Sequence, residues 1–332
     1  MIYPWQATQW QHIAQLLRAE RLPHALLLHG NQGLGKADFA IALANAVLCR
    51  APLANYQACG QCKSCLLLNA KTHPDLHYLE PTSAKNSKSK NPVLNIRVDD
   101  IRDLCETLNQ TSQFSGYRVA VLNVAEQLTI SAANSLLKTL EEPGQNVLII
   151  LVASRIHRLP VTIRSRCQRV RFYVPEQHQS MQWLQERQPA LTEDQLRQVL
   201  KYANGSPLAA ISLLDETEHQ EIIAQAMTAC LTGKTSLEYA PQLVKFGKLR
   251  TLEWMMSWVS DLSKVQSCGS NAEITNVHYR DKLQLLASQA EKHRIYKFYD
   301  QLNFNLQHNS IAVNEQLLWE NLLLSWDDLG KR

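Results

Sequence analysis

A strand, a glycine-rich loop and a helix follow one another over residues 25–48. ALLLHG (25–30) is a short apolar run that ends in glycine, and the stretch after the loop repeats apolar residues every four positions. A loop in this context can present backbone N–H groups and a helix N-terminus to phosphate oxygens. The spacing G-x-x-x-x-G-K therefore predicts a nucleotide-binding loop, formed by Gly30, Gly33, Gly35 and Lys36.

The groups that would hydrolyse a nucleotide are missing. A working site needs a hydroxyl after the lysine and a carboxylate at the end of a neighbouring buried strand, which hold the metal ion and orient the water. Ala37 lacks the hydroxyl, Asn123 stands where an aspartate is expected, and Val124 stands where a catalytic glutamate would follow. Glu126 lies two residues too far along the chain. We expect no ATPase activity, although ATP or ADP could still lodge at Lys36.

Further strands alternate with helices. RVAVLNVA (118–125) and VLIILVAS (147–154) are buried strand patterns, and a helical pattern over 131–143 separates them. Another helix follows Asp99 and Asp100, either of which could cap it. This alternation predicts a mostly parallel sheet covered by helices.

The rear of the chain has a different pattern. From about residue 175 onward no strand is evident, and amphipathic helices are indicated over 251–262, 281–302 and 314–326. PTSAKNSKSKNP (81–92) in the front half is typical of a mobile surface loop. The chain therefore divides into an α/β front and an all-helical rear.

Composition limits the class of protein. The 332 residues carry a net charge of +4 and are 45% hydrophobic, as in ordinary soluble globular proteins. The longest apolar run, 147–153, is far shorter than a membrane span. The N-terminus lacks the basic start and apolar stretch of a secretory signal. We expect a cytoplasmic protein without a membrane partner, in which the eight cysteines form no disulfide framework.

Four of the cysteines are closely spaced. Cys49, Cys59, Cys62 and Cys65 give the pattern C-x9-C-x2-C-x2-C, which predicts a structural zinc site with four thiolate ligands. An iron–sulfur cluster is an alternative, but the x3-C-P ending of a ferredoxin run is missing. Free thiols are a third alternative. His73 could replace one ligand, although HPD is more typical of a turn.

The other cysteines are scattered, and we expect them to be buried thiols: Cys105, Cys167, Cys230 and Cys268.

A basic stretch begins where the third strand pattern ends. RIHRLPVTIRSRCQRVR (155–171) contains six arginines and no acidic residue. Three interpretations stay open at this point. The stretch could be a solvated basic loop, it could bind nucleic-acid phosphates, or one arginine could reach the nucleotide of a neighbouring subunit.

Several segments together resemble one family. LPHALLLHGNQGLGKADFA (22–40), ANSLLKTLEEP (133–143) and LPVTIRSRC (159–167) are similar to signature segments of clamp-loader subunits within the AAA+ ATPases. The four-cysteine insert, followed by THPD (72–75), resembles that of the bacterial replicative subunits. The degraded catalytic residues are similar to those of the delta-prime type, which belongs to DNA polymerase III.

The resemblance implies an architecture and a set of site residues. It implies an AAA+ (RecA-like) α/β domain over 1–165 with a zinc-binding insert at 49–65, a small helical lid over 166–207, and a helical collar over 208–332. Arg166 of the SRC motif would be an arginine finger acting in trans. Further positions that it assigns are the second-choice fingers, a sensor position and a lid position that carries arginine in active relatives: Arg164 and Arg169, Ser154, and Leu208.

The resemblance also implies a function. The chain would be a non-hydrolysing stator in a ring with ATPase and delta subunits, and the assembly would open the sliding clamp and place it on primed DNA. Two alternatives are an active AAA+ clamp-loader ATPase and a zinc-containing DNA-binding protein with a relic P-loop. The modest charge and the lack of aromatic residues interleaved through 155–171 argue against the DNA-binding alternative.

Overall fold

The computed structural model describes residues 2–83, 94–114, 116–214, 217–232, 234–308 and 313–330. The described residues up to Ala210 form one compact unit, and those from Ile211 onward form a second. The predicted division at residues 166 and 208 stays a prediction. Most of the predicted surface loop at 81–92 lies outside the described residues.

The first unit is built on a five-stranded sheet in which every described pair is parallel. The strand order is β2-β3-β4-β1-β5. This arrangement confirms the predicted parallel sheet. The strands are β1 (Ala25–His29), β2 (Leu76–Leu79), β3 (Arg118–Leu122), β4 (Val147–Ala153) and β5 (Gln168–Arg171).

Helices cover the sheet. In the first unit they are α1 (Ala7–Arg18), α2 (Lys36–Leu48), α3 (Lys63–Asn69), α4 (Val98–Asn109), α5 (Ile130–Glu141), α6 (Val161–Arg164), α7 (Gln177–Arg187) and α8 (Glu193–Tyr202). The next helix, α9 (Pro207–Leu214), contains the point at which the two units divide.

Alternate residues of each central strand enter two different hydrophobic clusters. Leu27 and Leu151 pack with apolar residues of α4 and α5, whereas Leu26 and Leu28 pack with those of α1 and α2. Successive side chains of a strand point to opposite faces, so a strand buried on both faces has a continuous apolar sequence. This is why the central strands could be recognised from the sequence.

The two edge strands were missed. β2 and β5 each pair with one neighbour only, and neither has a continuous apolar run. In β5, Val170 is buried while Arg169 and Arg171 are exposed. The interpretation of 155–171 as a single solvated basic loop is therefore wrong, because this stretch contains α6 and β5.

The start of α4 differs in detail from the prediction. Its N-cap residue is Arg97, so neither Asp99 nor Asp100 occupies the N-cap position. Asp100 caps from inside the first turn, where its Oδ2 accepts the Arg97 N–H at 3.0 Å. A carboxylate at this third helical position satisfies the N-cap amide in the reciprocal half of a capping box.

The second unit is helical throughout its described part. Trp258, Trp319 and Trp326 are among its most deeply buried side chains. Asp261 is also fully buried, and its carboxylate accepts the N–H groups of Thr275 and Asn276. The helices are α10 (Thr217–Thr228), α11 (Ala240–Leu243), α12 (Lys248–Cys268), α13 (Arg280–Gln289), α14 (Lys292–Gln307) and α15 (Glu315–Asp327).

Among the described residues, no helix combines the length and the apolar character that crossing a bilayer requires.

Candidate functional site

The glycine-rich loop joins β1 to α2, as its pattern predicts. Gly30, Gly33 and Gly35 all have positive φ, at 150°, 77° and 75°. At Gly30 a Cβ atom would lie 2.3 Å from the Phe172 carbonyl oxygen, which no side chain could tolerate. The glycines are therefore needed for the path of the backbone, whether or not a nucleotide binds.

The first turn of α9 packs directly on this loop. A Cβ atom at Gly33 would lie 2.5 Å from the Ala209 Cβ, and the Leu208 N–H donates to the Gly33 carbonyl at 3.2 Å. Leu208 thus contacts the loop through its backbone, at the position where the family resemblance implies an arginine in active members. An aliphatic side chain there supplies no charge for a phosphate.

The N-terminal residues also contact the loop, which the sequence did not indicate. The Gln6 side-chain Nε2 donates to the carbonyls of Leu34 and Gly35 at 2.8 and 2.9 Å, and the Trp5 indole N–H donates to Leu34 at 3.1 Å. Tyr3 and Trp5 stack with ring centroids 5.0 Å apart. The side chains of these N-terminal residues therefore brace the end of the loop where α2 begins.

Lys36 is buried and points toward the end of β4. Its Nζ donates to the Asn31 carbonyl at 2.6 Å and to the Ser154 Oγ at 3.1 Å. Burial lowers the pKa of Lys36 to about 8, and the Glu126 carboxylate opposes this effect. The predicted sensor Ser154 and the loop lysine are therefore brought together.

The end of β3 offers no carboxylate in the place that a metal site needs. Asn123 turns its side chain back, and its Oδ1 accepts the Val124 N–H at 3.1 Å. Glu126 holds the segment after β4, because its Oε1 accepts the N–H groups of Ser154 and Arg155 at 3.0 and 3.1 Å. This role of Glu126 was missed, since nothing in the local sequence links it to residues 28 and 29 positions away.

The four closely spaced cysteines converge. Their sulfur atoms all lie within 4.8 Å of one another, and both Cys49–Cys62 and Cys59–Cys65 are separated by 3.9 Å. Sulfurs at 2.3 Å around a tetrahedral zinc ion are about 3.8 Å apart. Because the donor set and its spacing both fit, this cluster can hold one zinc ion with no protein ligand missing.

His73 is not part of this cluster. Its Nε2 lies 2.9 Å from the Ser64 Oγ, its Nδ1 accepts the Asp75 N–H at 3.1 Å, and burial lowers its pKa. Ser64 in turn donates to the Leu48 carbonyl at 2.6 Å. The THPD segment thus anchors α3, which carries one of the cysteines, to the end of α2.

The expectation of buried thiols holds in part for the remaining cysteines. Cys167 is buried, and Cys105 and Cys230 are half-buried, but Cys268 is exposed. Cys268 is the last residue of α12, where a helix end meets solvent. The prediction for Cys268 was therefore wrong.

Arg166 lies just after α6, with its side chain 35% exposed. Its guanidinium donates to the Thr162 carbonyl at 3.0 Å, contacts the Ser165 Oγ at 3.4 Å, and forms an ion pair with Glu141. Of the second-choice arginines, Arg169 is exposed on β5 and Arg164 is half-buried.

The parallel sheet and the loop between β1 and α2 define a P-loop α/β protein. Models of DNA polymerase III delta subunits match residues 5–176, and models of the delta C-terminal region match residues 217–328. Relatives named DNA polymerase III subunit delta' are similar over nearly the whole chain. The chain belongs to this family of clamp-loader subunits, and the predicted AAA+ class is confirmed.

Three of these relatives show the extent of the similarity. The subunit from Pseudomonas aeruginosa is 32% identical over 99% of this chain and 98% of its own length. The Escherichia coli subunit is 30% identical over 97% and 94%, and the Haemophilus influenzae subunit is 33% identical over 79% and 77%.

Solved structures are more distant in sequence. A DNA polymerase III gamma subunit-related protein from Thermotoga maritima is 18% identical, with a TM-score of 0.47 and coverage of 97% of this chain and 100% of its own. The Bacillus subtilis clamp loader delta protein is 10% identical, with a TM-score of 0.36 and coverage of 96% and 99%.

Proposed function

We propose that this clamp-loader subunit is a non-hydrolysing stator. It would take part in a ring with ATPase and delta subunits, and through that complex it would act on the sliding clamp and on primed DNA. Family membership supports the placement in a clamp loader. The finer role rests on the residues around Lys36 and on Arg166.

The observation that carries the proposal is the absence of metal-binding groups around Lys36 among the described residues. Ala37 has no hydroxyl, Asn123 bonds its own neighbour, and the Oε1 of Glu126 is bound to two backbone amides. Phosphoryl transfer depends on a metal ion and an oriented water. A subunit without these groups can shape the ring but cannot turn over its own nucleotide.

Arg166 is the residue that we assign to the neighbouring site. It is partly exposed, its guanidinium is held by protein groups at two of its nitrogens, and it lies in the SRC segment. A guanidinium supplied from a neighbour stabilises the charge that develops on the transferring phosphate. The proposal is therefore that Arg166 acts in trans.

We further propose that Cys49, Cys59, Cys62 and Cys65 hold a structural zinc ion. All four ligands would be thiolates, so no position would be open for water or substrate. Zinc would supply the crosslink that holds the insert between α2 and β2 together.

The isolated chain is expected to show no magnesium-dependent ATP hydrolysis above background, since no described group can hold the metal. Adding it to the partner subunits should raise their ATP turnover, and the measurement is phosphate release with and without the chain. Turnover by the purified chain alone would instead support the active ATPase alternative. Glu126 would then be the residue to test, because its Oε2 is buried without a hydrogen-bond partner in the described structure.

Any nucleotide binding by the isolated chain should be insensitive to magnesium, because Ala37 and Asn123 offer the ion no good ligands. It should also weaken as the pH rises through about 8, where Lys36 loses its charge. Fluorescent ADP titrations at pH 7 and pH 9, with and without magnesium, would measure this. Lys36→Met should remove the pH dependence, whereas Lys138→Met should not. A strong magnesium requirement would contradict the interpretation of the site.

A further inference from the structure

We propose that Glu141 is a positioning residue that holds the Arg166 guanidinium in the orientation needed to reach a neighbouring subunit's nucleotide. This inference rests on the proposed function, because it assigns the partner of the same finger. The resemblance to clamp-loader subunits covers the segment that contains Glu141 but assigns this residue no role.

The guanidinium is held at two separate nitrogens. One terminal nitrogen donates to the Thr162 carbonyl of α6, and the other pairs with the Oε1 of Glu141 at the end of α5. Arginine has five N–H donors in a planar fork, so two fixed nitrogens set the plane and leave other donors for a second acceptor. The side chain remains 35% exposed in this arrangement. The held guanidinium is therefore still accessible.

The position of Glu141 is unfavourable for the helix that carries it. It is the last residue of α5, and Glu142 is the C-cap. The C-terminus of a helix carries partial negative charge, so carboxylates are disfavoured there and cations are favoured. The pairing with Arg166 places a cation at this helix end. A local conflict of this kind is expected where a residue serves a site rather than its own helix.

Stability does not account for the pair. The Glu141 side chain is 49% exposed, and ion pairs between exposed groups contribute little to folding. Orientation is the stronger effect, since an arginine side chain has several rotatable bonds and must otherwise be ordered when the nucleotide binds. A fixed guanidinium requires less reorganisation in the transition state.

The test is ATP turnover by the reconstituted clamp-loader complex containing this chain. Glu141→Ala should lower kcat by about tenfold or more and leave KM for ATP unchanged, because the finger acts in the transition state. Glu141→Gln keeps an oxygen acceptor for the guanidinium and should recover part of the loss. Glu142→Ala is the matched control, since Glu142 is also exposed but forms no ion pair within the described residues, and it should have no effect.

A double-mutant cycle separates this inference from the proposed function. In an Arg166→Ala background, Glu141→Ala should cause no further loss, because it acts through the missing guanidinium. Unchanged or increased turnover in Glu141→Ala, or an equal loss in the Arg166→Ala background, would overturn the positioning role while leaving the finger itself intact. If Arg166→Ala alone leaves turnover unchanged, the proposed function fails, and the inference fails with it.

Discussion

Replacing Arg166 with alanine is expected to lower ATP turnover at the adjoining subunit's site by on the order of 10³-fold or more. The guanidinium neutralises charge that is present on the phosphate only during transfer, so kcat should fall while assembly is unaffected. Phosphate release by the complex in the presence of primed DNA and clamp measures the turnover, and size-exclusion chromatography checks the assembly.

Two control substitutions sharpen the interpretation of the Arg166 experiment. Arg102→Ala removes an exposed arginine on α4 that pairs with Asp99, and it should not change turnover. Arg169→Ala tests the exposed second-choice finger on β5, where an equal loss would move the assignment away from Arg166. Full turnover by the Arg166→Ala complex would refute the trans role.

Replacing Cys62 with serine is expected to reduce bound zinc from about one ion per chain to nearly none. Four thiolates complete the predicted coordination, and structural zinc sites contribute on the order of 10 kcal/mol of binding free energy that is also folding free energy. Loss of one ligand should therefore unfold the insert. Metal analysis by mass spectrometry and protease cleavage between α2 and β2 measure the two effects.

Cys268→Ser is the matched control for the zinc experiment. Cys268 is exposed at the end of α12 and lies outside the cluster, so its substitution should leave both metal content and protease resistance unchanged. A brown preparation that contains iron would contradict the zinc assignment and support the iron–sulfur alternative.

The central elements of the first unit could be predicted because each has a local signal. β1, β3 and β4 are continuous apolar runs, since they are buried on both faces of the sheet. The edge strands β2 and β5 have no such signal, because half of an edge strand's hydrogen bonds and contacts are missing. Their pairing depends on where the neighbouring strand lies.

The candidate site divides in the same way. The loop glycines, Lys36 and the four cysteines are each recognisable from short-range spacing. The contacts that brace the loop come from distant segments, as with Gln6 on Leu34 and Leu208 on Gly33. Glu126 was dismissed as misplaced when judged against a motif, and only the structure shows its contact with the segment after β4.

The sequence by itself determined the class of fold, the loss of the hydrolytic groups and the set of four metal ligands, because periodicity and spacing express these within about 20 residues. The tertiary structure alone decided that the loop is braced by the N-terminus and α9, and that Glu141 meets Arg166. Such contacts join segments far apart in the chain, and their geometry follows from how the helices and strands pack, for which short-range sequence carries no record.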